Sequence, residues 1–339
     1  MKKILITGVS GQDGAYLSKL MISKGYKVYG AYRRTSDTNF WRLKYMGVYE
    51  NPNLVLIELD LTDISSVLRC LEISDPEMVF NLAAQSFVGY SFNSPIATSQ
   101  ITGLGVVNVL EAIRIFNKKI KFYQASSSEM YGKVNEIPQS ENTKFYPRSP
   151  YGVAKVFGHW MTVNYRESYD MFAVSGILFN HESPLRGIEF VTRKITDGVA
   201  KIKNNTIDKI SLGNLYAQRD WGHAKDYVNG MFLMLQQENP DDYVLASGET
   251  HTIKHFVELS FNEIGIDLIW KGKGLDECGI DSKTNKVLVD VDKKYYRPNE
   301  VDLLIGDPSK AKSKLGWNCE YDLKKLVNSM MTYDLNLNP

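Results

Sequence analysis

The sequence predicts an α/β protein, a doubly wound parallel sheet carrying a smaller mixed α/β lobe. Three observations predict it. Short apolar runs alternate with longer helical patterns through the first half of the chain, the rhythm of β-α-β units. Those runs are continuous rather than alternating, as in strands buried on both faces. After Asn180 the rhythm loosens, and Gly, Pro and charged residues gather over 181–187 and 272–286. At 339 residues the chain is long for one core and fits two domains. The expected division is a cofactor domain over 1–179 with part of 211–247, and a substrate lobe over 180–210 and 248–335.

Each element follows from its local pattern. Residues 3–7 are an apolar run that ends at Thr7-Gly8 and read as the first strand. Residues 14–25 place Ala15, Leu17, Leu20 and Met21 at helical spacing. Strands are predicted over 26–32, 54–59, 78–82, 120–125 and 173–179. Helices are predicted from 65–71 onward, over 103–115 and over 151–169, and the last residues, 335–339, read as frayed. Ligands of such sheets sit beyond the carboxyl ends of the strands.

Composition narrows the function. Apolar residues make up 43%, and 40 basic residues balance 39 acidic ones, leaving a formal charge of +1. That balance argues against a general nucleic-acid or membrane-surface binder. Cys70, Cys278 and Cys319 are odd in number and far apart, without metal-ligand spacing, so neither a disulfide framework nor a metal site is expected. Reduced thiols fit a cytoplasmic location. The apolar run at 4–6 is too short for a signal sequence, and no stretch is expected to reach the roughly 18 apolar residues of a membrane span.

The first strand runs into Thr7-Gly8-Val9-Ser10-Gly11-Gln12-Asp13-Gly14. Gly8 suits the tight turn, Gly11 the close approach of a diphosphate, and Gly14 close helix packing. This is the dinucleotide fingerprint of a Rossmann-type sheet. The helix N-terminus offers free N–H groups to phosphate oxygens, which assigns Gly8, Ser10, Gly11, Gln12 and Asp13 to a cofactor. The second strand ends not in a carboxylate but in Ala31-Tyr32-Arg33-Arg34-Thr35-Ser36. Arg33 and its neighbours suit a ribose 2′-phosphate, which points to NADP. Asp60 and Leu61 follow the third strand, where the adenine rests. Leu82, Ala83, Ala84 and Ser86 follow the fourth, beside the ribose and nicotinamide.

The fifth strand ends in Ser126-Ser127-Ser128-Glu129, and Pro150 opens a helix bearing Tyr151 and Lys155 on one face. A free phenol has a pKa near ~10, too high for a base at neutral pH. A neighbouring ammonium favours the phenolate. With the hydroxyl of Ser127, this set removes a proton from an alcohol while a hydride leaves its carbon for a nicotinamide.

These motifs resemble the extended short-chain dehydrogenase/reductase superfamily, and within it the GDP-mannose 4,6-dehydratase family. The resemblance runs nearly end to end. It is carried by TGVSGQDGAYL from Thr7, NLAAQSFVGYSF from Asn81, FYQASSSEMYG from Phe122, FYPRSPYGVAK from Phe145, VNYRESY from Val163, GILFNHESPLRGIEFVTRKI from Gly176, RDWGHAKDYV from Arg219 and YRPNEVDLLIGDPSKAKSKLGW from Tyr296. The resemblance implies that Ser127, Glu129, Tyr151 and Lys155 are catalytic, with Lys155 also touching the cofactor. Tyr151 would deprotonate the sugar C4 hydroxyl as its hydride passes to NADP. Glu129 would take the C5 proton and help expel the C6 hydroxyl as water, and the same hydride would return to C6. Asn180, Lys194, Arg219 and Arg297 match positions that hold the GDP part, and His181 and Arg186 match positions near the cofactor. One departure is Ser127, where the family usually has threonine; the hydroxyl is kept and the methyl lost.

The resemblance also implies a homodimer or homotetramer, in tetramers with the segment after Arg34 reaching a neighbouring cofactor site. Two alternatives keep the superfamily but change the chemistry, namely the same dehydration on GDP-manno-heptose, and an NADPH-dependent reductase or epimerase. A non-catalytic NADP-binding protein would have no need of the Ser127, Glu129, Tyr151 and Lys155 set.

Overall fold

The computed structural model describes residues 1–36, 39–295 and 303–337. The first half alternates regularly. β1 (Lys3–Thr7) leads into α1 (Gln12–Ser23), then β2 (Lys27–Tyr32), α2 (Trp41–Tyr45), β3 (Leu54–Glu58), α3 (Ile64–Ser74) and β4 (Met78–Asn81). Next come α4 (Val88–Asn93), α5 (Pro95–Thr98), α6 (Gly105–Asn117), β5 (Lys121–Ser127), α7 (Pro150–Tyr169) and β6 (Ala173–Leu178). The six predicted strands, and the ends predicted for the helices, fall within two residues of these bounds. The short helices α2, α4 and α5 carry too few turns to leave a periodic signal.

The second half supplies β7 (Asn180–Glu182), α8 (Val191–Lys203), β8 (Ile210–Leu212), β9 (Gln218–Arg219), β10 (Trp221–His223) and α9 (Ala224–Met234). It continues with β11 (Tyr243–Leu245), β12 (His251–Thr252), α10 (Ile253–Asn262), β13 (Leu268–Lys271), β14 (Cys278–Asp281), β15 (Val287–Val291), α11 (Ser309–Leu315) and α12 (Leu323–Leu337).

Seven strands form one parallel sheet in the order β11-β6-β5-β4-β1-β2-β3. Alternate residues of a strand face opposite sides, and β1 shows the consequence. Ile4 and Ile6 enter a core with α1, α9 and α11, while Leu5 enters a second core with α3, α6 and Tyr165 of α7. Both faces are therefore covered, which is why the strands read as unbroken apolar runs. The chain leaves β1 toward β3 and then returns across it to β4. That reversal opens a crevice at the carboxyl ends of β1 and β4.

A third core gathers Ile195, Val199, Trp221, Phe256, Phe261, Val289, Leu326 and Met330. Over it lies the mixed sheet β13-β14-β15-β8, in which only β15 and β8 run parallel. Arg193 of α8 and Asp334 of α12 form a buried ion pair at 2.5 Å, and Thr196 donates to the same carboxylate at 2.6 Å.

One expectation is corrected. A π-helical stretch (Ser99–Leu104) joins α5 to α6 in one helix of 23 residues, Pro95–Asn117, whose most apolar window has a mean hydropathy of 1.3. Among the described residues it is the one helix long and apolar enough to cross a membrane. Half of that window is buried inside the fold, and α6 packs on α3 and α7. Interspersed Ser, Thr, Gln and Gly residues hid its length from a scan for unbroken apolar runs.

Candidate active site

The glycine turn is built for close approach. Gly8 has φ +70°, and a Cβ there would sit 2.9 Å from the backbone N and Cα of Ala83. A Cβ on Gly14 would lie 2.5 Å from the Gly8 carbonyl oxygen, so only glycine lets α1 rest on the turn. Thr7 ties this turn to the next loop. Its hydroxyl donates to Asn81 Oδ1 at 2.7 Å and accepts from the N–H groups of Leu82 and Ala83, each at 3.1 Å. No side chain caps α1 at Gly11, so its first N–H groups stay open to an anion. This uncapped turn, which added Cβ atoms would fill, fits the diphosphate of a dinucleotide.

A cavity runs outward from the turn, past Ser10, Arg33, Asp60, Leu61, Ala83 and Ser86. Arg33 is exposed at its rim. Asp60 is held by Thr62, whose N–H and hydroxyl donate to Oδ1 at 2.9 and 2.7 Å. Gln85 Oε1 is buried there without a partner.

Inward, the turn opens on a cleft lined by Gly8, Gly11, Gln12, Asp13, Leu82, Ala84, Ser86, Ser127, Glu129, Tyr151, Lys155, Asn180, His181 and Arg186. Ser149 caps α7, accepting from Gly152 N–H at 3.0 Å, and so aims Tyr151 and Lys155 from its first turns into this cleft. Burial pushes the Tyr151 phenol up to about 12, with a hydrogen bond to Ser127 acting the other way. Burial pulls Lys155 down to about 8, against the attraction of Asp13. Lys155 Nζ donates to the Ala125 carbonyl at 2.6 Å and lies 5.6 Å from the centre of the Tyr151 ring. Burial is thus the largest influence on the phenol, and it acts against the phenolate. Glu129, half-buried, donates its N–H to Ser127 Oγ at 3.2 Å.

A third cavity adjoins the cleft and shares Glu129, Asn180, Arg186 and Phe190 with it. Lys194 and Arg219 line its far side. Lys194 Nζ donates to the Ser211 carbonyl at 2.6 Å and sits 3.1 Å over the Tyr295 ring. Arg219 is buried in β9, where Nη1 donates to the Gln218 carbonyl at 2.9 Å. Asn180 Oδ1 is buried without a partner where the two cavities meet. Arg186 stacks on Phe190 at 3.6 Å and pairs with Glu182 at 3.0 Å. Arg297 lies outside the described residues.

The fold therefore brings every described candidate to one connected groove. Some positioning residues left no motif. Arg42 donates to the carbonyls of Leu185 (2.7 Å) and Ser10 (3.3 Å), bridging the glycine turn to the loop after β7. Thr7, Gln85 and Ser183 stand inside quoted motifs but had no assigned part, because a polar residue beside a loop shows its part only once its partners are known. No cluster of His, Cys, Asp or Glu among the described residues has the arrangement of a metal site.

The family model of the GDP-mannose 4,6 dehydratases matches residues 5–330. Among individual proteins, the human GDP-mannose 4,6 dehydratase is 50% identical over 341 residues, covering 98% of this chain and 91% of its own. Two solved structures share the fold. A dTDP-glucose 4,6-dehydratase from Bacillus anthracis in complex with NAD aligns with a TM-score of 0.81 at 19% identity, covering 98% of this chain and 96% of its own. RMD from Pseudomonas aeruginosa complexed with NADPH aligns with a TM-score of 0.76 at 20% identity, covering 99% and 100%.

Proposed function

This chain belongs to the GDP-mannose 4,6 dehydratase family, and on that premise we propose that it converts GDP-mannose to GDP-4-keto-6-deoxymannose with the side chains around Tyr151. It is a hydro-lyase of the nucleotide-sugar class, built on a nicotinamide-binding fold. The observation that carries the residue roles is the shared wall at Glu129 and Asn180. It joins the cleft of Tyr151 and Lys155 to the cavity of Lys194 and Arg219.

When bound, a nicotinamide supplies a hydride acceptor that is regenerated within the same turnover. The chain's own residues handle the protons. Lys155 favours the phenolate of Tyr151, which, hydrogen-bonded to Ser127, takes the proton of the C4 hydroxyl and becomes the phenol. Oxidation at C4 acidifies the C5 proton. Glu129 removes that proton and protonates the departing C6 hydroxyl, and when C6 is reduced Tyr151 returns its proton to C5. Ser127 has the hydroxyl this role needs and leaves out only the methyl of the family's usual threonine. Asn180 Oδ1, buried without a partner, accepts from a sugar hydroxyl. Lys194, Arg219 and Arg297 hold the GDP.

We assign the cofactor as NADP. No carboxylate stands at the end of β2, and Arg33 rims the cavity where a 2′-phosphate would lie. Gly8, Ser10, Gly11, Gln12, Asp13, Asp60, Leu61, Leu82, Ala83, Ala84, Ser86, His181 and Arg186 complete its site. The cofactor domain spans 1–179 with part of 211–247, and the substrate lobe 180–210 and 248–335; the separate core around α8, α10 and α12 supports this division. A homodimer or homotetramer accords with the exposed Leu104, Val153, Phe157 and Trp160 of the π-helical stretch and α7. A cytoplasmic location accords with three free cysteines.

The test is incubation with GDP-mannose and catalytic NADP, without added reductant, followed by mass spectrometry of the sugar nucleotide and absorbance of the nicotinamide. Loss of one water with no net change in reduced cofactor is the expected result. Loss of water from GDP-manno-heptose alone would move the substrate, and stoichiometric use of NADPH would make the protein a reductase.

A further inference from the structure

Both ring nitrogens of His181 face acceptors. Nδ1 lies 2.8 Å from the Phe179 carbonyl oxygen, and Nε2 lies 2.8 Å from Asp13 Oδ2. A neutral imidazole has one N–H, so it would set a lone pair against one of the two oxygens, whereas an imidazolium donates to both. Protonating Asp13 instead is disfavoured by its place. It sits in the first turn of α1, where the helix dipole favours an anion, and its Oδ1 already accepts from Gln12 Nε2 at 3.1 Å.

The neighbours agree. From α9, Tyr227 stacks on the imidazole at 4.5 Å. From the loop after β7, Arg186 works against a second cation. His223, at the end of β10, is pushed down to about 4 by burial, helped by the charges of Lys225 and His181, and stays neutral. From β5 and α7, Tyr123, Tyr151 and Lys155 feel the charge of Asp13, as does Tyr16 of α1. Burial opposes the charged form of His181, yet the charge of Asp13 and the bond to it raise its pKa overall. The Asp13 carboxyl is held below its ordinary range: burial opposes this, but the charge of His181 and the bond to it prevail.

We infer that His181 is a standing imidazolium that neutralises Asp13 and so keeps the glycine turn acceptable to a dinucleotide's diphosphate. Asp13 lies in the turn the phosphates approach, partly open to the cleft. Bare, its charge would repel them. His181 is on this account a positioning residue that acts through Asp13, and its protonation sets the pH range of cofactor binding. The inference rests on the nicotinamide-binding reading of the cleft. The proton is present below the ordinary histidine range and is lost as pH rises through the raised folded value. Cofactor affinity is therefore kept on the acid side and falls on the alkaline side.

The decisive measurement is the nitrogen NMR spectrum of protein labelled in its five histidines, without cofactor. At about pH 8, well above the ordinary histidine pKa, His181 is expected to have both ring nitrogens protonated. In Asp13→Asn it should become neutral, with the proton on Nδ1 and the new amide donating to Nε2. NADP titration across pH completes the test. Wild type weakens on the alkaline side, while Asp13→Asn, whatever its affinity at neutral pH, loses that alkaline limb. His181→Gln, which bares the carboxylate, binds roughly ten-fold more weakly at neutral pH, and the double variant recovers most of the loss. A neutral His181 in the wild-type spectrum, or an unchanged pH profile in Asp13→Asn, overturns the inference. If NADP binds at no pH, the nicotinamide reading falls, while the spectrum still decides the charge of His181.

Discussion

A phenol pushed up to about 12 by burial cannot serve as a base at neutral pH unaided, so Tyr151 depends on the charge of Lys155. Lys155 itself is pulled down to about 8 by its burial, so its ammonium is present below that pH and is lost above it. At saturating cofactor, kcat/KM is expected to fall as pH rises through about 8, and a profile flat through that range would remove Lys155 from the proton step. The duty proposed for Glu129 is separate. Glu129→Gln keeps the shape and loses the base, so water release should drop by roughly 100- to 10,000-fold. GDP binding, read by calorimetry, should stay unchanged. An equal loss of both would make Glu129 a binding residue. That Tyr151 and Lys155 face one cleft was legible because one helix turn separates them. Their charges were not, because burial is set by β5, β6 and the loop after β7, which are distant in sequence.

Helix α7 carries Tyr151 and Lys155, and its first turn is pressed against the chain just after β5. A Cβ on Gly152 would stand 2.8 Å from the Glu129 carbonyl oxygen and 3.1 Å from Pro147 Cβ. Gly152→Ala is expected to shift that turn, costing about 1–3 kcal/mol of stability. Because Tyr151 moves with the turn, kcat should fall more steeply than a denaturant melt alone suggests. A fully active Gly152→Ala would mean that the turn and Glu129 move together. Local chemistry made this helix legible, since Ser149 and Pro150 mark its start and its apolar face has helical spacing. The π-helical stretch before α6 left no comparable mark, because it differs from an α-helix by one residue per turn and not by composition.

At the scale of the molecule, the third core is closed by α12 and pinned by the buried Arg193–Asp334 ion pair. Asp334→Ala leaves the Arg193 guanidinium without its carboxylate, and such losses cost about 3–5 kcal/mol. A denaturant melt should show that loss, while NADP affinity should change little, since the glycine turn belongs to the core of α1, α9 and α11. A matching loss of NADP affinity would mean that the two cores melt as one unit. By itself the sequence determined the parallel sheet, the dinucleotide turn and the Ser127, Glu129, Tyr151 and Lys155 set. The strands, the turn and each pair of that set, Ser127 with Glu129 and Tyr151 with Lys155, are written in neighbours a few residues apart, where periodicity, glycine spacing and capping act. Only the tertiary structure decided which groups carry charge and which loops face one another. Asp13 meets His181 across 168 residues, Arg42 reaches Leu185 across 143, and Arg193 finds Asp334 across 141. Electrostatics and desolvation depend on distance in space, and no local pattern records a partner that the fold brings from so far along the chain.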